Sequence, residues 1–282
     1  MGRGQAPGKV ILVGEHFVVH GAPAIALPLL GRGIEVVVER VSGPWDVLPG
    51  TEAHLRRLLI ALEEDAEALR LSVRSELPIG AGLGGSAALA VALVKALDDS
   101  GALTTAEVRE CAHRLEKLAH GTPSGIDDTV AAYGRPVWFQ RESRSEVLEV
   151  EPCRVWVGLT AQRTSTREAV AHVRGLSEAR PRWFGERLAE ATVQVEHALQ
   201  ALRDADWSTL GRVMAAHHGL LQSLEVSTAA LDTLVQSALD AGAFGAKLTG
   251  GGLGGAAIAI CPPEIDLTDV WLSAGATEVI AP

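Results

Sequence analysis

Cysteine is scarce in this chain. Cys111, Cys153 and Cys261 stand alone, without C-x-x-C pairing and in odd number, which leaves no disulfide framework and no zinc site to organise a fold. They read as packing thiols in a reducing cytoplasm. Long apolar runs are missing too. The richest window, Ala87 to Leu97, is too short to span a bilayer and contains Lys95. The opening MGRGQAPGKVILVGEHF has no signal-peptide core, because Glu15 and His16 interrupt it early, so no secreted form is expected. Positive charge is in deficit. A net charge of −10 argues against a broad nucleic-acid footprint, and a small anionic substrate would have to be met by locally placed Lys or Arg. No internal repeat, low-complexity tract, G-x-x-x-x-G-K-[ST] P-loop, Ser-His-Asp arrangement or metal-cluster spacing occurs.

What is present is a 282-residue chain, 47% hydrophobic, long enough for a substantial core. Two domains of mixed α and β structure are expected, residues 1–150 and 151–282. KVILVG and IEVVVERV read as strands on either side of a turn at His20-Gly21, and HLRRLLIALEEDAEAL has helical spacing. LSVRSEL alternates as a strand. TTAEVRECAHRLEKLA is a helix with a capping-box pattern at Thr104 or Thr105. VWF and RVWVGLTA are strands, and STREAVAHVRGL is a helix that Ser165 or Thr166 can cap. Three amphipathic helices follow, WFGERLAEATVQVEHALQALRD, WSTLGRVMAAHHGLLQSL and STAALDTLVQSALDAG. The chain closes with strand, glycine turn, strand, short helix and a last strand.

The stretch PIGAGLGGSAALAVALVKAL from Pro78 carries the strongest chemical signal. Gly80, Gly82, Gly84 and Gly85, with Leu83 among them, run into an apolar helix that begins at Ser86. Backbone N–H groups freed of side chains can close around phosphate oxygens, and the helix end adds partial positive charge. Gly80, Gly82 and Gly85 also satisfy G-x-G-x-x-G, with Asp98 and Asp99 near the distance of a ribose-binding acid. In a dinucleotide fold, however, that acid ends a second parallel strand, whereas here Asp98-Asp99-Ser100-Gly101 ends the helix and another helix follows. Three other segments are chemically loaded: Ala6–Gly21, Glu116–Asp127 and Lys247–Gly255. Together they hold the parts of phosphoryl transfer: a glycine loop, a hydroxyl and carboxylate able to share magnesium, a lysine, and a second carboxylate to take a proton.

PIGAGLGGSAA is similar to the ATP-binding motif of the GHMP superfamily of small-molecule kinases. APGKVILVGEHFVVHG resembles the first motif of its mevalonate kinase branch, HGTPSGIDDTVAAYG that branch's catalytic segment, and KLTGGGLGG the superfamily's C-terminal motif. Their order is the family's, and they span Ala6 to Gly255. The resemblance implies an α+β fold with an N-terminal domain like ribosomal protein S5 domain 2 and a ferredoxin-like C-terminal domain, with ATP in the cleft between them. It implies an ATP- and Mg2+-dependent kinase acting on mevalonate, with Asp127 as the acid that activates the attacking hydroxyl and Lys9 beside it. By the same resemblance Gly80, Gly82, Leu83, Gly84, Gly85 and Ser86 bind ATP, and Ser86 and Glu116 hold magnesium. Glu15, His16, Thr249 and Gly250 lie on the substrate side, with Thr249 facing the transferred phosphoryl. Asp128 stands where the family often has Asn and is given no catalytic role. Gly85 and Ala161 replace a family serine and glycine. A cytoplasmic protein bound to no membrane is implied, and a homodimer is the assembly the resemblance allows. The rival readings are another GHMP kinase, acting on phosphomevalonate or a sugar, and a non-catalytic binding protein of the same fold.

Overall fold

The continuous apolar run in KVILV and the β-branched IEVVVE, buried at every second residue, draw the first forty residues into two long strands, β1 (Gly2–Val13) and β2 (Pro23–Glu39). The structure, a computed structural model, describes residues 1–78, 80–98, 100–120, 123–141, 144–162 and 166–282. Asp99, the Gly121–Thr122 part of the HGTPSG segment and the helix-capping Ser165 lie outside the described residues. Packing groups the chain into two units, each drawn from three stretches: Met1–Lys9, Pro28–Ile79 and Leu83–Arg135 in the first; Val10–Leu27, Gly80–Gly82 and Pro136–Pro282 in the second.

In the first unit, Ile34–Glu39 of β2 pair antiparallel with β3 (Arg70–Ser75). Helix α1 (Glu52–Ala61) stops earlier than its spacing suggests. Glu63, with φ 60, breaks it, and the residues that would have extended it, Glu63, Glu64 and Asp65, place negative charge at the negative end of the helix dipole. Asp65 instead caps a single 3-10 turn at Ala66–Ala68.

Helix α2 (Gly85–Leu97) is apolar nearly all round, with Ala87–Val94 and Ala96 buried, so it has to be enclosed on every side. Helices α3 (Thr105–His120) and α4 (Ile126–Tyr133) pack against it. A Cβ on Gly4 would fall 2.0 Å from the Ala92 carbonyl oxygen, so the strand can approach the helix backbone this closely only as glycine. The capping box at the start of α3 forms as its sequence requires. Thr104 N–H donates to the Glu107 carboxylate at 2.8 Å, and Glu107 N–H donates back to Thr104 Oγ1 at 3.3 Å. Helix α4 lies in the Gly- and Pro-bearing HGTPSGIDDTVAAYG segment. Gly125 at φ 92 turns the chain, and two acids in the first turn suit the positive end of the helix.

In the second unit, Pro23–Ala26 of β2 pair antiparallel with β4 (Val137–Gln140), which pairs in turn with β5 (Arg144–Val147). A 3-10 turn at Phe17–His20 buries Phe17 where the sequence suggests only a turn. A second, antiparallel sheet joins β6 (Val155–Leu159), β7 (Gly245–Thr249), β8 (Ala256–Ile260) and β9 (Glu278–Ile280) in the order β7-β8-β6-β9. Helices α5 (Thr166–Ala179), α6 (Pro181–Arg203), α7 (Trp207–Ser223), α8 (Ala229–Asp240) and α9 (Thr268–Ser273) complete the unit, with α7 and α8 packed on β7. Phe17, Leu221, Leu248 and Trp271 share its core, and the Trp271 indole N–H donates to the Leu234 carbonyl at 2.8 Å. Among the described residues no helix is long and apolar enough to cross a membrane.

Candidate active site

Glycine decides the shape of the phosphate-loop candidate. Gly80, Gly82 and Gly84 take φ of 75, 76 and 74, the left-handed region from which backbone anion nests are built. Gly84 then caps α2, whose first residues are Gly85 and Ser86. Leu83 anchors the loop, its carbonyl accepting from Lys9 N–H at 2.9 Å. The stem of Lys9 passes over Gly84. A Cβ there would stand 2.8 Å from Lys9 Cγ, so the glycine opens the path of the lysine as well as the turn.

That path brings Lys9 Nζ to within 3.1 Å of Asp127 Oδ1. Asp127 sits in the first turn of α4 and keeps 38% of its side chain exposed, while Lys9 is buried. Asp128 points the other way. It is buried against α3, with Arg109 Nε at 3.4 Å and His113 Nδ1 at 3.3 Å, and burial raises its pKa against the opposing charge of His113.

Ser86 opens α2 and Glu116 lies on the last turns of α3, and the packing of these helices brings their side chains together. The Ser86 hydroxyl donates to Glu116 Oε1 at 2.5 Å. Burial pushes the Glu116 carboxyl up to about 7, and the nearby negative charges of Asp127 and Asp128 add to the rise against the Ser86 bond. A carboxyl so disfavoured as an anion suits a site where a cation would restore its charge. Hydroxyl and carboxylate oxygens are hard donors, and Mg2+ commonly takes few protein ligands and completes its shell with phosphate oxygens and water. Among the described residues no cluster of three or more His, Cys, Asp or Glu forms a metal cage.

The second unit carries a buried polar cluster at the end of β1. Glu15 is fully enclosed, its Oε1 accepting from Lys247 Nζ on β7, while Lys247 also donates to the Leu248 carbonyl at 2.5 Å. Burial works against the charge on Glu15, yet Lys247 and His217 hold its pKa below the ordinary value. Burial draws Lys247 down against the attraction of Glu15. His16 pairs through Nε2 with the Gly251 carbonyl at 3.0 Å. Burial pulls its pKa down to about 4 despite the pull of Glu15, which leaves a neutral ring. Glu15 Oε2 and His16 Nδ1 are buried without a hydrogen-bond partner, two polar atoms with unused capacity in adjacent residues.

Thr249 was expected to face a transferred phosphoryl group. In the structure its hydroxyl accepts from Ile11 N–H and donates to the Ile11 carbonyl, both at 2.9 Å, so its proton is used on the main chain. Gly250, at φ 80, follows it, and a Cβ there would lie 3.5 Å from the Gly82 carbonyl, so the two glycine turns meet. Lys247, His217 and Gln194 are participants that the motifs did not single out. A lysine within the apolar strand GAKLT and an acid within VILVGEHF are each anomalous alone, a sign that each needs a buried partner but not of which one.

Residues 53–135 match the family described as GHMP kinases N terminal domain, and residues 198–276 match GHMP kinases C terminal. The chain is 35% identical to a mevalonate kinase of Thermococcus sibiricus, over 92% of this chain and 89% of that relative. It is 33% identical to one of Thermococcus gammatolerans, over 98% of this chain and 94% of the relative. Among solved structures it is similar to L. major mevalonate kinase in complex with R-mevalonate, with a TM-score of 0.86, 30% identity, and coverage of 100% of this chain and 95% of that one.

Proposed function

Because the chain belongs to the GHMP kinases, with their two-domain α+β fold, we propose that it works as a mevalonate kinase, moving the γ-phosphoryl group of ATP to the 5-hydroxyl of mevalonate. The observation that carries the residue roles is the 3.1 Å contact between Lys9 Nζ and Asp127 Oδ1. A carboxylate half open to solvent and held by a buried ammonium is a base with a fixed direction. Asp127 takes the proton of the alcohol as its oxygen bonds to the γ-phosphorus and the bond from that phosphorus to the ADP oxygen breaks. Lys9 orients Asp127 and offsets the negative charge that gathers on the transferring group.

Gly80, Gly82, Leu83, Gly84, Gly85 and Ser86 supply the backbone and hydroxyl groups for the triphosphate. Ser86 and Glu116 would hold Mg2+, which when bound neutralises phosphate charge. On the substrate side, the free valences of Glu15 Oε2 and His16 Nδ1 support contact with the alcohol substrate. Thr249 and Gly250 remain beside the transferred group, with the Gly250 backbone in place of the Thr249 hydroxyl proton as the contact. A cytoplasmic location and a homodimer belong to the same reading. Unpaired thiols at Cys111, Cys153 and Cys261 support the first.

Release of ADP, followed separately with mevalonate, phosphomevalonate, homoserine and galactose, tests the proposal. Turnover on mevalonate alone is expected. Turnover confined to another acceptor would replace the substrate, and no turnover on any would favour a binding protein of this fold.

A further inference from the structure

The turn that carries Glu15 and His16 is held in an uncommon shape. Gly14 has φ 104 and His16 φ 62, so two of three consecutive residues occupy the left-handed half of backbone space, and one of them is not glycine. Such a turn persists only where its surroundings over-determine it. Lys247 holds Glu15, and the Gly251 carbonyl meets His16. The remaining residue, Gly14, is held by a side chain. Its N–H donates to Nε2 of His217, on α7, at 3.0 Å.

That bond fixes the protonation state of the ring. A nitrogen that accepts carries its lone pair, so the proton of a neutral His217 is on Nδ1, which lies 2.8 Å from Gln194 Oε1 on α6. The orientation of Gln194 agrees, because its amide Nε2 donates at 3.4 Å to Glu190 Oε1, leaving the carbonyl end for the histidine. Every donor in the run from Gly14 through His217 and Gln194 to Glu190 meets an acceptor. The ring is completely buried, with Phe17 edge-on at 5.9 Å between centroids. Three charged groups face it: Glu15 from the turn, Lys247 from β7 and Glu190 from α6. Burial keeps its pKa below the ordinary histidine value, against the pull of Glu15.

We propose that His217 is a positioning residue, held as the Nδ1–H tautomer by Gln194, and that it sets the Gly14–His16 turn for the alcohol substrate by accepting from Gly14 N–H. The competing arrangement is visible in the same geometry. Glu15 Oε2 lies 3.5 Å from His217 Nε2 and has no hydrogen-bond partner. A ring with its proton on Nε2 would turn to that oxygen and leave the Gly14 amide unpaired. The Gln194 carbonyl, which claims the ring proton at Nδ1, selects against that tautomer, and burial disfavours a ring protonated on both nitrogens. The inference rests on the proposed function only for the identity of the ligand that the turn receives.

Two measurements test it, one independent of activity. Long-range 1H–15N spectra of the histidine-labelled protein should show His217 neutral with the proton on Nδ1 between about pH 6 and 8, since burial holds its pKa below the ordinary histidine value. A ring protonated on Nε2 would overturn the proposal. In steady-state kinetics His217→Gln, which keeps an acceptor near the Nε2 position, should stay within about threefold of the wild type in KM for mevalonate. His217→Leu should raise that KM by about tenfold or more and leave KM for ATP within about twofold. An unchanged KM for mevalonate, an equal rise in both constants, or an equal loss in the Gln variant would each defeat it. Should His217→Leu fail to fold, Gln194→Met takes its place, with a lost Nδ1–H signature and a raised KM for mevalonate expected and an unaltered spectrum counting against the relay. Wild-type protein without turnover on mevalonate would sink the functional reading, while the tautomer would still be read directly.

Discussion

Lys9 and Asp127 meet at 3.1 Å because a glycine stands between the lysine's strand and its goal. With φ 74 at Gly84 and Lys9 Cγ only 2.8 Å from where a Cβ would be, the backbone shape of the phosphate loop and the direction of the lysine are one constraint. The contact between Lys9 and Asp127 therefore depends on a residue that contributes no functional group.

Replacing Asp127 by Asn removes the proposed base and preserves the size of the side chain. A fall in kcat of about a hundredfold or more is expected, the usual range for losing a positioned proton acceptor. Calorimetric titration with ATP should still give near wild-type affinity, and unimpaired kcat would take Asp127 out of the role.

Gly84→Ala combines a left-handed backbone, at about 1–2 kcal/mol, with a collision against Lys9. The variant should fold with a modestly lowered urea midpoint and lose kcat well beyond that loss of stability. A stability change without a kinetic one would show that Lys9 can take another route to Asp127.

Ser86→Ala and Glu116→Gln should each raise the free magnesium needed for half-maximal rate. The two residues share one short hydrogen bond, so the double variant should cost less than the sum of the two singles. Titration of rate against free magnesium at fixed ATP decides this. Metal dependence equal to the wild type's in both single variants would remove them as ligands.

Lys247→Met leaves Glu15 charged in an enclosed site. About 3–5 kcal/mol of unfolding free energy should be lost, the range for breaking a buried ion pair from one side. Urea unfolding measures it, and adding Glu15→Gln to that variant should recover part of the loss.

Acid should weaken the second unit before carboxylate protonation does. The folded-state pKa of His16 is depressed to about 4 from 6.5, so its contribution is complete above pH 6.5 and disappears as pH falls toward 4, where the unfolded chain alone has taken up the proton. The full span corresponds to about 3 kcal/mol. His217 and His218, depressed first of all by burial, act in the same direction. Denaturant midpoints at pH 7.5 and 5 should fall accordingly, and His16→Asn should flatten the difference.

Legibility in the sequence followed how far apart the interacting groups lie. The capping box at Thr104 and Glu107 was readable because both partners fall within one turn. The meeting of Ser86 and Glu116 could be anticipated from two consecutive helices, one short connection apart. Helix α4 was hidden by the glycine and polar residues that cap it, since the same residues also serve irregular chain. Glu15 and Lys247 are separated by 232 positions, and nothing local to either declares the other. The same holds for the compact units: β1 changes unit between Lys9 and Val10, without a break in its apolar pattern.

The double hydrogen bond between Ile11 and Thr249 has a consequence for how the protein is made. Its two residues are 238 apart, so Ile11 leaves the ribosome long before its partner is synthesised. The first strand can pair with its neighbour β2 early, but the bonds from Ile11 to Thr249 must wait until that residue has emerged. Closure of the second unit around Ile11 is thus a late event, and a ribosome stalled near residue 240 should carry a nascent chain in which Val10–Val13 are more open to protease than in the folded protein.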